Sequence, residues 1–111
     1  MQWIHINNEN QLGDIIQKSS QKPQVIFKHS TRCSVSSVAL NRLQKAGFTE
    51  QIDFYYLDLI AHRNISNQIA EIFKIQHESP QVLLIKEGKC IYDESHLGIS
   101  MDEIEEQAEA A

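Results

Sequence analysis

Three short apolar runs, Val25-Ile26-Phe27-Lys28, Asp53-Phe54-Tyr55-Tyr56-Leu57-Asp58 and Val82-Leu83-Leu84-Ile85-Lys86, are separated by stretches whose apolar residues recur at helical spacing. Runs this short and β-rich match strands of a covered sheet, and the longer periodic stretches between them match helices. Trp3 to Ile6 reads as a first short strand. Leu12, Ile15 and Ile16 predict a helix over residues 8–19 despite Gly13, and Pro23 separates it from the first of the three runs. Val35, Val38, Ala39, Leu43 and Ala46 mark one face of a second helix, which Gly47 is placed to end. Ile65, Ile69, Ile72 and Phe73 do the same for a third, over residues 64–74. Glu87-Gly88 reads as a tight turn into a last strand over residues 89–93. A final helix starts near Met101, with Ser100 and Glu103 spaced as a capping box. The order βαβαβαββα predicts an α/β fold: a single domain over residues 1–111, with a mixed sheet, helices on both faces, and a terminal hairpin and helix.

A length of 111 residues suits one domain, and 41% hydrophobic with 23% charged residues argues against disorder. Val82-Leu83-Leu84-Ile85 is far shorter than the roughly 20 residues of a membrane span. The start, Met1-Gln2-Trp3-Ile4-His5-Ile6, has neither the basic nor the apolar region of a secretory signal, so the expected location is cytoplasmic. Five of the acids, Asp102, Glu103, Glu105, Glu106 and Glu109, stand near the end, whereas Lys18, Lys22, Lys28, Arg32, Arg42 and Lys45 share an acid-free stretch, Ile15 to Thr49. A net charge of -5 and no basic cluster interleaved with aromatics disfavour nucleic acid. His5, His29, His62, His77 and His96 are scattered without ligand spacing, so no metal is expected. Trp3, Tyr55, Tyr56 and Tyr92 read as core and sheet residues.

The two cysteines, Cys33 and Cys90, are too few for a disulfide framework. Cys33 follows a buried strand and opens a helix, where unpaired backbone N–H groups and the positive end of the dipole stabilise an anion. Arg32 is adjacent and Lys28 ends the preceding strand. Such surroundings favour thiolate, the species that attacks disulfides. The alternative, a small buried hydrophobe, sits badly with Thr31, Arg32, Ser34 and Ser36 as neighbours. His29 reads as a satisfied polar residue at a strand end rather than as a base.

A cysteine opening the helix after the second strand of such a chain resembles the thioredoxin fold. In that fold, Ser79-Pro80 before the hairpin is similar to the cis-proline that faces the thiol, with the preceding backbone pairing to substrate. Gly98, after the last strand, is similar to a glycine that lets backbone approach the site. The motif Cys33-Ser34-Val35-Ser36 has serine where a dithiol enzyme has its resolving cysteine. Over essentially its full length the chain resembles the YtxJ-type bacilliredoxins, on Trp3-Ile4, Phe27-Lys28-His29-Ser30-Thr31, Cys33, Ser36-Ser37 and Ser79-Pro80-Gln81. That family commonly reads T-x-C-P-I-S, so Ser34 replaces a proline here; this frees a backbone N–H and bears on redox poise more than on fold.

The resemblance implies a monothiol oxidoreductase that removes bacillithiol from protein mixed disulfides. Its catalytic residue would be Cys33, with Thr31, Arg32, Ser34, Ser36, Ser79, Pro80 and Gly98 around the substrate. No bound cofactor is implied; bacillithiol acts as thiol co-substrate, and the partners are bacillithiolated client proteins and a low-molecular-weight thiol. Bacillithiol is anionic, so the base-rich stretch is expected to attract it. Two other readings compete: a non-catalytic thioredoxin-like interaction module, and a [2Fe–2S] carrier like the C-G-F-S glutaredoxins, against which Ser34-Val35 counts.

With Glu87-Gly88 as the turn, Ile85 faces Cys90 and Pro80 falls near Ser95. Cys90 then lies about 16 Å along the hairpin from the proline end, whereas a disulfide needs Cα atoms within about 7 Å. Cys90 is therefore read as structural, and Cys33 and Cys90 are expected not to pair within one folded chain. Peptide mapping after native oxidation of the monomer checks this; a Cys33–Cys90 peptide would contradict it.

Overall fold

A computed structural model describes residues 3–110; the expectation about Met1 and Gln2 and the outer limits of the 1–111 domain lie outside the described residues. The elements are β1 (Ile4–His5), α1 (Asn10–Lys18), β2 (Gln24–His29), α2 (Ser34–Ala46), β3 (Asp53–Asp58), α3 (Arg63–Phe73), β4 (Gln81–Lys86), β5 (Lys89–Ser95) and α4 (Met101–Ala110), with a 3₁₀ turn at His96–Gly98 that was not expected. The strands lie in the order β1-β3-β2-β4-β5. Strands β1 and β2 run parallel to β3, while β4 runs antiparallel to β2 and β5 antiparallel to β4. This is the expected α/β architecture, with the mixed sheet and terminal hairpin in place. No helix among the described residues is long and apolar enough to cross a membrane.

Strand β2 is central and buried along its whole length. Successive side chains of a strand point to opposite faces, so β2 feeds two separate cores. Val25 and Phe27 meet Ala39 and Leu43 of α2 and Ile104 and Ala108 of α4. On the other face, Ile26 meets Leu12 and Ile15 of α1 and Ile65 and Ile69 of α3. Trp3 stacks on Phe27 with ring centroids 5.6 Å apart and meets Phe48 edge-on at 4.8 Å, closing the first core at the β1 side. Its aromatic role is structural, as read.

Three local expectations need correction, the first being Ile72 of α3, which is 46% exposed while Ile65, Ile69 and Phe73 are buried. The buried stripe of α2 runs through Ser36, Ala39 and Leu43, and Val38 is 44% exposed. The helix is rotated from its most apolar face because Ser36 is held against β2 by hydrogen bonds, which hydrophobic periodicity does not register. In the hairpin, Ile85 does face Cys90, but the register shifts between Leu84 and Ile85 so that Leu84 pairs Tyr92 and Gln81, rather than Pro80, lies opposite Ser95. One extra residue on β5 forms a bulge, and everything beyond it moves by one position. At the other end of the chain, Ser100 Oγ accepts from Glu103 N–H at 3.4 Å, one half of the expected capping box.

Leu43 is fully buried at the contact between α2 and the sheet. Truncating it removes a side chain with little room to collapse, so Leu43→Ala is expected to lower stability by about 3 kcal/mol. Urea unfolding, read as a shift of the midpoint at unchanged slope, checks the figure.

Candidate functional site

The antiparallel ladder of β2 and β4 pairs Lys28 with Gln81. Continued by one residue, it brings His29 level with Pro80. The Ser79–Pro80 peptide is cis, so the proline and the turn leading to Cys33 leave the same end of the sheet from adjacent strands. The carbonyl of Ser30 accepts from Cys33 N–H at 3.2 Å, and Cys33 C=O accepts from Ser37 N–H at 3.1 Å, the first bond of α2. Cys33 is thus the N-cap residue, in extended conformation (φ -113°, ψ 123°), with no side-chain cap bond. It is partly exposed and free, and Thr31, Arg32 and Ser34 beside it are exposed.

Ser36 differs from the other expected substrate neighbours. It is fully buried, its hydroxyl lies 2.7 Å from His29 Nδ1, and it accepts from Ser30 N–H at 3.0 Å. A hydroxyl has one proton to give, so O–H to Nδ1 is the arrangement that satisfies both groups, and His29 carries its own proton on Nε2. Burial holds the His29 imidazole below its ordinary range, against the upward pull of Asp58 and the Ser36 bond. Ser36 is therefore a tie between α2 and β2, and presents no hydroxyl to a substrate. His29 is the satisfied polar residue expected.

The end of β3 closes the floor, where Leu59 N–H donates to His29 C=O at 3.0 Å. On the β4 side, His96 N–H donates to Pro80 C=O at 2.9 Å, and His96 Nε2 lies 3.1 Å from Glu78 Oε1. Gln81 Nε2 donates to Gln76 C=O at 3.0 Å, bracing the loop before the proline. Ser79 Oγ is buried without a hydrogen-bond partner. Gly98 lies in the 3₁₀ turn, and its missing side chain admits the Glu94 carboxylate: a Cβ there would lie 2.8 Å from Glu94 Cδ. The close approach is to a flexible side chain of β5, a different use of this glycine from the one expected.

Lys28 also departs from expectation. It points to the face opposite His29, where it is fully buried, with Nζ 3.2 Å from Ser66 C=O and 3.3 Å from His77 Nδ1. It therefore does not face Cys33. Nor is the acid-free stretch one basic surface. Lys22 pairs with Asp53 at 3.0 Å, Arg42 bonds Leu97 C=O at 2.9 Å, and Lys18 ends α1. Ser19, the residue after α1, accepts Glu87 N–H, so that end of α1 sits beside the hairpin turn, far along β4 from Pro80. Of the stretch's cations, only Arg32 adjoins the thiol in the chain and stands exposed beside it. Cys90 donates from Sγ to Tyr92 C=O at 3.3 Å, and burial, aided by Asp93, pushes its thiol up to about 11, which fits the structural role read for it.

The contacts made by His77, Ser66, Gln81 and His96 were not legible in the sequence. His77 and His96 meet partners 49 and 18 residues away, and Gln81 folds back on its own loop at Gln76 and Glu78; no spacing or motif signals such contacts, and the one available hint was Gln81, a polar residue opening an otherwise apolar strand.

A thioredoxin-like fold with a single partly exposed cysteine capping α2 defines a thiol-redox protein of the monothiol kind. The profile of the family described as Monothiol bacilliredoxin BrxC matches residues 4–104, and the chain belongs to that family. A solved structure described as a candidate oxidoreductase with a thioredoxin fold is similar at 26% identity and TM-score 0.81, covering 94% of this chain and 91% of its own. The thioredoxin of Malassezia sympodialis is 18% identical with TM-score 0.73, over 98% and 90% of the two chains. Thioredoxin f of spinach chloroplast is 16% identical with TM-score 0.69, over 96% and 89%. The latter two share the fold.

Burial lowers the Lys28 amine from 10.5 to about 8. An unfolded chain therefore binds more protons than the folded one between those values, and stability from this group rises with pH across that window. Chemical denaturation of wild type and Lys28→Met at pH 7.5 to 10.5 is expected to show wild type gaining stability relative to the variant as pH increases. A constant difference would contradict the shift.

Proposed function

We propose that this protein removes bacillithiol from protein mixed disulfides, with Cys33 as the nucleophile. The observation that carries the reading is the pairing of a partly exposed Cys33 at the start of α2 with a buried serine hydroxyl at the fourth motif position. Cys33 thiolate attacks the bacillithiol sulfur; a Cys33–bacillithiol disulfide forms and the client cysteine leaves as thiolate, taking a proton from solvent. Ser36 has no sulfur with which to resolve that adduct, and its hydroxyl is already engaged by His29 and Ser30. An outside thiolate must attack the bacillithiol sulfur, restoring Cys33 thiolate and carrying bacillithiol away as a new disulfide. The location this implies is the cytoplasm, where small thiols keep cysteines reduced.

Thr31, Arg32 and Ser34 are the exposed residues beside Cys33 in the chain, and the cis Ser79–Pro80 peptide precedes β4 at the same end of the sheet as the turn leading to Cys33, which supports a substrate disulfide bound between them. Arg32 supplies the local positive charge for the anionic thiol. Its effect falls on encounter rate and weakens with salt.

Incubation with oxidised bacillithiol, and in parallel with oxidised glutathione, followed by intact-mass measurement, tests the reading. A bacillithiol adduct on wild type that is absent from Cys33→Ala is expected, with slower or no adduct from glutathione. No adduct on Cys33 from either disulfide favours the non-catalytic module, and brown protein after anaerobic purification favours the iron–sulfur carrier.

A further inference from the structure

Among the described residues Lys28 is the only lysine, arginine or carboxylate that is buried, and no carboxylate lies within ion-pair distance of it. Burying an ammonium without a counter-charge is expensive, and a well-packed hydrophobe at such a site is often neutral or stabilising. What a hydrophobe cannot do is hold polar groups from separate segments. The Lys28 ammonium donates to Ser66 C=O of α3 and to His77 Nδ1 in the loop between α3 and β4. An ammonium has donors and no acceptor, so it fixes His77 as acceptor at Nδ1, with the ring proton on Nε2. Ser66 Oγ lies 3.3 Å from the same nitrogen.

His77 stands two residues before Ser79. The rest of the loop is braced by Gln81, through Gln76 C=O at 3.0 Å and Glu78 N–H at 3.4 Å, and by the exposed Glu78–His96 pair. Lys28 supplies the buried anchor, on the sheet face away from Cys33.

We propose that Lys28 is a positioning residue for thiol exchange: through Ser66 and His77 its ammonium clamps the loop against β2 and α3, and so sets the height of the Ser79 backbone beside a disulfide bound at Cys33. The inference rests on the reading of Cys33 as the exchanging thiol. The clamp depends on charge, since bonds from an ammonium are about twice as strong as those from a neutral amine. Burial brings the amine to about 8. His77 is held below its ordinary range by burial, then by Lys28 and Arg63, with Glu78 opposing; these are the titratable groups around the clamp, from α3 and from the loop. As pH rises through about 8, the clamp slackens.

Steady-state de-bacillithiolation of a model protein carrying one bacillithiol mixed disulfide, run from pH 7 to 9, tests this. Lys28→Met is expected to raise KM about tenfold at pH 7 while kcat changes less than about threefold. Iodoacetamide alkylation of Cys33 should stay within about twofold of wild type at each pH, because the thiol itself is not the target of the change. Wild-type KM should climb through pH 8 toward the variant's value, and the variant's KM should be flat. The wild-type profile needs no variant to fold, and the His77 Nδ1 signal in NMR should follow the same transition. Transfer with a wild-type KM flat across pH 8 and no Nδ1 transition overturns the role of Lys28 alone. Failure of the wild type to transfer bacillithiol at any pH overturns the reading of Cys33, and this inference with it.

Discussion

Strand β2 lies at the centre of the sheet with both faces covered, so each of its residues must satisfy an interior. For Val25, Ile26 and Phe27 that demand is met by packing alone. Its last two residues are polar, and the way they are satisfied builds the site. His29 turns to the α2 face and takes the hydroxyl of Ser36; Lys28 turns to the α3 face and takes Ser66 and His77. One bond holds the helix that presents Cys33, and the other holds the loop that leads to Pro80. A buried polar group left unmatched costs about 1–3 kcal/mol, so neither element is free to drift while β2 stays in place.

The same arrangement explains how the site differs in kind from a dithiol site. The fourth position of the motif is filled, buried and hydrogen-bonded through Ser36. Within the motif, the geometry therefore offers one sulfur, partly exposed at Cys33, and a structural post behind it at Ser36. Release of any adduct on Cys33 then falls to a second molecule, and the exposed rim of Thr31, Arg32 and Ser34 is where that molecule would approach. Membership of the Monothiol bacilliredoxin BrxC family agrees with this division of labour.

Much of the fold was legible because its signals are local. Helical spacing in residues 12–16 and 65–73, apolar runs at 25–28 and 82–86, and Gly47 at a helix end each act within a few residues, and each found its element. The same local signals misled where a long-range bond intervened. Val38 was assigned to the core by periodicity and lies outside it, because Ser36 rotates α2. The acid-free stretch from Ile15 to Thr49 looked like one surface and is spread over both faces and both ends of the sheet. The hairpin register shifted by one because an extra residue leaves no mark in unbroken apolar runs such as Val82-Leu83-Leu84-Ile85 and Cys90-Ile91-Tyr92, which have no alternation to break.

By itself, the sequence determined the order of elements, the position of Cys33 at a helix start, the lack of a second thiol three residues on and a proline opening the hairpin, since these are matters of covalent neighbourhood and short-range periodicity. Tertiary structure alone decided which way the polar ends of β2 point: Lys28 joins Ser66 and His77 away from the thiol, and Ser36 serves His29 instead of a ligand. The physical reason is that a buried hydrogen-bonding group must find its partner in space. Partners such as residues 28 and 77 are brought together only when the whole sheet has formed.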